Sequence, residues 1–294
     1  MPVSHGSHCS GPTKRVTTPK GFLDGGGDMG ARIRAYDWSR TPLGDPSEWP
    51  QSLKTALGIL LNSGYPMYIA WGERFTQFYN DAYRPILGST KHPAALGRST
   101  DETFAEIWDF IGPMFRSVIR TATASTFIDQ LLPLDRHGYV EECYFTFSYS
   151  AIPREDGGVG GVFVTVLETT GRMLRERRLR TLRDLANMSG RSTATEICAG
   201  AAELLARNRH DVPFALIYRP EAEEAVLLGH TGIDGTAPAL QRISLADGGP
   251  WGAIVARALG GMQREALPEP FLPDRAAWPE PVSEAIGVPV VPLG

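Results

Sequence analysis

The chain has 294 residues, enough for two domains, with an ordinary apolar share of 42% and a formal net charge of −4 from 29 Lys and Arg against 33 Asp and Glu. No run approaches the roughly 18–20 apolar residues that span a bilayer, so a membrane segment is excluded. Three cysteines, Cys9, Cys143 and Cys198, stand far apart without pairing spacings, as expected of a cytoplasmic, reducing compartment.

Residues 1–27 are polar and Gly-rich and lack the apolar core of a signal peptide, and they read as a disordered leader. His5, His8 and Cys9 lie close together there, but a specific metal site needs a full ligand set on an ordered frame, so no metal is assigned. Gly25-Gly26-Gly27-Asp28-Met29-Gly30 matches the spacing of a dinucleotide loop, yet no strand precedes it, and it reads as a flexible hinge.

Leu53, Ala56, Leu57, Leu60 and Leu61 repeat at the spacing of one helical face, and Asn62-Ser63-Gly64 ends that helix. Residues 67–71 and 75–79 read as two short strands joined at Gly72-Glu73-Arg74, and Asn80 is placed to cap a short helix through Tyr83. Ser99-Thr100-Asp101-Glu102 has the capping-box pattern and predicts a helix start. The helix that follows carries Phe104, Ile107 and Trp108, is expected to break near Gly112-Pro113, and resumes over residues 114–119.

A strand over residues 139–150 places Cys143, Phe145, Phe147 and Tyr149 on one face, alternating with Tyr144, Thr146 and Ser148. After a turn at Asp156-Gly157-Gly158, residues 162–167 are almost continuously apolar, which suits a strand covered on both faces. The cover is either the helix carrying Leu53 to Leu61 or a partner chain. Glu168-Thr169-Thr170 closes the strand and precedes a charged helix.

Two strands, several short helices and a three-strand antiparallel finish resemble a PAS domain, of the kind that heads many bacterial sensor histidine kinases. The resemblance runs over residues 22–186. It is most specific in residues 30–38, Thr41-Pro42-Leu43-Gly44, Trp49-Pro50-Gln51-Ser52-Leu53, Tyr79-Asn80-Asp81-Ala82-Tyr83 and residues 157–163. Glu168-Thr169-Thr170 stands where that family usually carries Asp-Ile-Thr. The resemblance therefore implies that Glu168, Thr169 and Thr170 relay a signal from the sheet to the next helix. Glu is one methylene longer than Asp, and the alternative is that Glu168 and Thr169 simply cap that helix.

Flavin-binding relatives carry a reactive Cys after the second strand, and haem-binding ones a His on the long helix; this sequence has neither, and no cofactor is identified. An apolar interior remains, with Trp71, Tyr79, Tyr83, Trp108, Phe145 and Phe147 as its aromatic candidates. These residues either line a site for an unknown small ligand or are close-packed core.

The helix over residues 171–186 is Arg-rich and carries Leu179, Leu182 and Ala186 at three-then-four spacing, a short seam for a homodimer. Its Arg run reads as a solvated face and not a nucleic-acid contact, since the chain is slightly acidic and no aromatic residue accompanies the run. Beyond it, Thr193-Ala194-Thr195-Glu196 is a second capping box, with Ile197, Ala201, Leu204 and Leu205 as the buried stripe of its helix. Strands over residues 213–218 and 225–230, a Gly-Pro-Trp-Gly helix opening at Gly249, and a late strand over residues 285–291 resemble the first two-thirds of a GAF domain. The late strand has no evident partner, so the sequence is expected to be a fragment, cut within that domain.

The expected fold is α+β. A leader at 1–27 and an N-terminal extension with its helix at 28–64 precede a PAS domain at 65–170. A linker helix at 171–188 then leads to an incomplete GAF domain at 189–294. No nucleophile elbow or phosphate loop occurs, and Glu141 and Glu142 point to opposite faces of a strand, so no catalytic residue is assigned. The function implied is the sensory input of a two-component histidine kinase, homodimeric through the linker helix and the helix preceding the PAS domain. Downstream kinase domains and a response regulator would be its partners. A serine phosphatase or nucleotide cyclase output, or a stand-alone interaction module, would use the same two domains.

Overall fold

The computed structural model describes residues 21–188, 190, 193–246 and 249–290. The expectations for residues 1–20, including His5, His8 and Cys9, and for Val291 lie outside them. The chain divides into two units, Met1–Met173 and Leu174–Gly294.

The first unit begins with α1 (Gly27–Ala35), α2 (Gln51–Asn62), β1 (Met67–Trp71) and β2 (Thr76–Tyr79). Three helices follow, α3 (Arg84–Lys91), the single turn α4 (Thr100–Thr103) and α5 (Trp108–Thr121). The unit closes with β3 (Ser125–Leu131), a small hairpin of β4 (Leu134–Asp135) and β5 (Val140–Glu141), and the long hairpin of β6 (Tyr144–Pro153) and β7 (Val159–Glu168). Five strands form one sheet in the order β2-β1-β7-β6-β3, every neighbour antiparallel. This is the PAS-like α+β arrangement that the sequence implied.

Local chemistry explains the elements. Along β6 the buried positions Phe145, Phe147 and Tyr149 alternate with half-buried Tyr144, Thr146 and Ser148, as a pleated strand with one core face requires. The β6–β7 turn is closed by the Asp156 carboxylate, which accepts from the Gly158 amide at 3.0 Å. Both faces of β1 and β2 are covered. Phe78 stacks on Trp38, with ring centroids 4.7 Å apart, and meets Trp49 edge-on, while Tyr68 and Tyr79, paired across the two strands, face the opposite side. Buried Asn80 ties this edge together. Its amide nitrogen donates to the carbonyls of Leu60, Ser63 and Tyr65, and its oxygen accepts from the amides of Met67 and Tyr83.

In the second unit, α6 (Thr170–Ala186), which starts in the last residues of the first unit, leads to α7 (Ala194–Leu205). There follow β8 (Ala215–Glu221), β9 (Glu224–Thr231), the single turn α8 (Pro238–Gln241), β10 (Arg242–Ser244), α9 (Gly249–Ala258), β11 (Gln263–Phe271) and β12 (Val282–Gly287). β10, β9 and β8 form one antiparallel sheet, and β11 pairs β12 in another. The capping box at α7 is complete: Thr193 Oγ1 accepts from the Glu196 amide and the Glu196 carboxylate from the Thr193 amide.

Several sequence expectations are corrected. Gly25 to Gly30 is no hinge: α1 starts at Gly27, its first amides Asp28 and Met29 donating to the Asp81 carboxylate at 2.9 and 3.0 Å. The Ser99 side chain makes no capping bond at α4; its hydroxyl donates to the Arg74 carbonyl at 2.7 Å. α5 runs unbroken through Gly112-Pro113, and the chain bends earlier, at Phe104 and Ile107. Gly112 has no side chain to meet the Trp108 indole, which packs where a Cβ would come within 2.8 Å of it. The strand over residues 139–150 is interrupted at Glu142-Cys143. β7 is fully buried on one face only, through Val162 and Val164, while Leu167 on the other face is 53% exposed. Ile197 is exposed and α7 buries Gly200 and Ala202 instead. The late strand does have a partner, β11, concealed in the sequence by Pro268 and Pro270, which lack the amide donors of a regular ladder.

Candidate functional site

An interior cavity of about 40 Å³ lies in the first unit between the sheet and α3–α5. Ile86 of α3, Thr100 of α4, Ile111 and Phe115 of α5, and Phe104 and Ile107 before it supply one side. Tyr68 of β1, Phe145, Phe147 and Tyr149 of β6, and Val164 and Val166 of β7 supply the other, with Tyr83, Leu132 and Leu134 closing it. Period-two alternation puts the three β6 rings on this face, and the helical spacing of Ile111 and Phe115 does the same for α5. The volume holds about three waters, at roughly 10–15 Å³ each.

Of the six aromatic residues singled out from the sequence, Tyr83, Phe145 and Phe147 line this cavity and Trp71, Tyr79 and Trp108 do not. Trp71 lies over Gly160 and Gly161 of β7, where added Cβ atoms would come within 2.6 and 2.9 Å of its ring. Tyr79 bonds His92 Nδ1 through its hydroxyl at 3.0 Å, and burial pushes its phenol up to about 12. Trp108 packs against Phe75 and Phe115.

The polar wall consists of Tyr68, Tyr83, Thr100 and Tyr149, none of which composition or spacing distinguished as polar contacts. Thr100 donates to the Phe75 carbonyl at 2.8 Å, so in its short bond with Tyr68 the phenol is the donor. Burial pushes the phenols of Tyr68, Tyr83 and Tyr149 well up, keeping them protonated.

The second constellation joins the cavity wall to the start of α6. Arg136, in the turn between β4 and β5, donates from Nη1 to Glu168 Oε2 at 2.9 Å and from Nη2 to Glu168 Oε1 at 3.0 Å. It also donates from Nε to Glu141 Oε2 at 3.1 Å and from Nη1 to the Pro85 carbonyl at 3.3 Å. Thr170 donates to Glu168 Oε1 at 2.8 Å and accepts from the Tyr144 amide at 3.0 Å. The Thr169 amide donates to the Tyr144 carbonyl at 2.8 Å, and its carbonyl accepts the first helical bonds, from Arg172 and Met173. Burial by itself raises the Glu168 carboxyl, but Arg136 and Thr170 outweigh it and hold the group below its ordinary value. Arg172, in the first turn of α6, pairs with Asp129 of β3.

Glu168, Thr169 and Thr170 thus meet at one place, the junction of β6, β7 and α6. Sequence reading missed Arg136, Asp129 and Arg172. Their only trace is a charged residue between the short strands β4 and β5, a bulge residue, and one Arg among the many of α6.

No family model and no curated protein matches the chain. Among solved structures, a sensory box sensor histidine kinase from Vibrio cholerae is 15% identical, over 40% of this chain and 89% of that one, with a TM-score of 0.28. The PAS domain of BvgS from Bordetella pertussis is 18% identical, over 46% of this chain and 98% of that one, at 0.35. An RNA-binding light-oxygen-voltage receptor is 20% identical, over 48% of this chain and 40% of that one, also at 0.35. At such scores the PAS-like assignment of the first unit rests on its strand order and register.

Proposed function

We propose that the chain is the sensory input of a signalling protein, a two-component histidine kinase in its fullest form, and that it acts by binding and not by chemistry of its own. In this reading residues 65–170 are the sensory PAS domain, 171–188 the linker helix and 189–294 a GAF-like domain, all on the cytoplasmic side. A ligand that fits two arrangements of the cavity unequally biases the start of α6 by its differential affinity. One observation carries the reading: a single guanidinium, Arg136, is bonded both to α3, whose Ile86 lines the cavity, and to the Glu168-Thr170 junction from which α6 starts.

Leu179 and Leu182 of α6 are 64% and 62% exposed, which supports a homodimer formed through this helix. The linker carries its seam to whatever output follows. A serine phosphatase or nucleotide cyclase would receive the same bias as a kinase.

Hydrogen exchange tests the relay. Ile86→Ala changes only the cavity wall, and it should alter amide protection in the first two turns of α6; in the Arg136→Met background that effect should vanish. Unchanged α6 protection in Ile86→Ala would reduce Glu168 and Thr169 to local helix-end contacts.

A further inference from the structure

The walls of the cavity restrict what can occupy it, an argument that rests on reading the cavity as the sensory site. None of its lining residues carries a charge, so an ion would lose its hydration with no counter-charge in return. Phe104, Phe115, Phe145 and Phe147 among its lining residues are aromatic, and aromatic rings pack favourably with another flat ring.

The polar atoms are more selective still. Tyr68 is satisfied through Thr100, whereas the hydroxyls of Tyr83 and Tyr149 have no hydrogen-bond partner among the described residues, though the two residues are only 6% and 5% exposed. Buried polar groups are almost always paired, and a phenol proton left without an acceptor is costly. Both phenols are protonated donors open to the cavity, so whatever fills it, water or ligand, is what accepts from them. We propose that the ligand of this cavity is a small, uncharged, flat molecule bearing a hydrogen-bond acceptor, which takes the Tyr83 and Tyr149 hydroxyls. At about 40 Å³, room for roughly three waters, the cavity takes one small ring only if its walls move outward.

Three one-ring probes separate the terms: pyrimidine, neutral and bearing acceptors; benzene, of the same shape without them; and benzoate, charged. Binding to the full chain is followed by saturation-transfer NMR and by the shift in melting temperature. Pyrimidine should bind more tightly than benzene, and benzoate should not bind. Tyr83→Phe with Tyr149→Phe keeps both rings, and it should weaken pyrimidine about tenfold while leaving benzene unchanged. If the double variant does not fold, each single variant should show part of that loss. Tyr68→Phe, whose hydroxyl is already engaged by Thr100, should leave the preference for pyrimidine intact.

Equal binding of benzene and pyrimidine, binding of benzoate, or no binding of any ring at millimolar concentration overturns the proposed ligand class, the last leaving ordered water as the partner of the phenols. The sensory reading fails separately. If pyrimidine binds through the two phenols but α6 exchange does not change, the ligand class stands and the relay falls. If benzene and pyrimidine bind alike and both alter α6 exchange, the relay stands and the ligand class falls.

Discussion

Arg136 and Glu168, 32 residues apart in sequence, share two parallel hydrogen bonds of 2.9 and 3.0 Å, and the guanidinium is 11% exposed while the carboxylate is 28% exposed. Bidentate geometry fixes the orientation of both groups as well as their distance. Arg136 reaches this place because its own chain segment is pinned: the Thr90 amide donates to its carbonyl, and its side chain crosses to Pro85.

Removing the cation leaves Glu141 and Glu168 part-buried without a counter-charge. Arg136→Met should therefore destabilise the first unit by about 2–3 kcal/mol, and pairing it with Glu168→Gln should restore roughly half of that. Urea unfolding of the two variants beside the parent checks both figures. Equal stability of Arg136→Met and the double variant would mean that the unpaired Glu168 carboxylate carries no penalty; Glu168→Gln alone completes the cycle that gives the coupling.

Asp211 in the second unit accepts from Arg177 at 2.8 and 2.9 Å and from Asn208 at 3.1 Å. Burial raises its carboxyl, but Arg177, Asn208 and Arg178 outweigh that and bring it down to about 2. A depressed folded value means that the stability it adds is complete above the unfolded value near 4 and is lost as the pH falls toward 2. With solvent screening this amounts to about 1 kcal/mol. Calorimetry from pH 5 to 2 should show a shallower acid slope in Asp211→Asn than in the parent.

Gly88 lies in α3 at φ +61°, where a Cβ would come within 2.0 Å of the Arg136 carbonyl oxygen. Gly88→Ala combines left-handed strain with a clash against backbone, so a loss of about 2–4 kcal/mol is expected. The same variant should loosen the β4–β5 turn, readable as faster hydrogen exchange at Arg136 and its neighbours.

Asn80→Ala deletes five hydrogen bonds at once; the Leu60 and Tyr65 carbonyls keep the Ser63 amide and hydroxyl as donors, while the Ser63 carbonyl loses the Asn80 amide. A loss of about 3 kcal/mol follows from leaving buried groups unpaired. Asn80→Asp should cost a similar amount, since it keeps the acceptor but loses the donors. Thermal melts of the two variants should fall together, well below the parent.

The corrections concern residues whose local signal did not decide their role. Ser99 has the residue type and spacing of a cap, but its hydroxyl is engaged by Arg74, 25 residues away. Pro113 carries a helix-breaking signal, yet the Trp108 indole packed against Gly112 accompanies an unbroken α5. Pro268 and Pro270 concealed a strand that pairs through residues 263–266 and Phe271. A local pattern reports what a residue prefers; for Ser99 a partner 25 residues away settles what it does, and for Gly112 and Pro113 the packing within the helix does.

By itself, then, the sequence determined the β6 alternation, the Asp156 turn, the Thr193–Glu196 capping box, the short strands β1 and β2, and the α+β order that goes with them. Each of these depends on residues within a few positions of one another, where spacing translates directly into geometry. Only the tertiary structure decided that Tyr83 and Tyr149 face one cavity while Trp71, Tyr79 and Trp108 do not, and that Arg136 bridges α3 to Glu168. Those contacts join segments tens of residues apart, and their register is set by the antiparallel sheet that brings β1, β6 and β7 side by side.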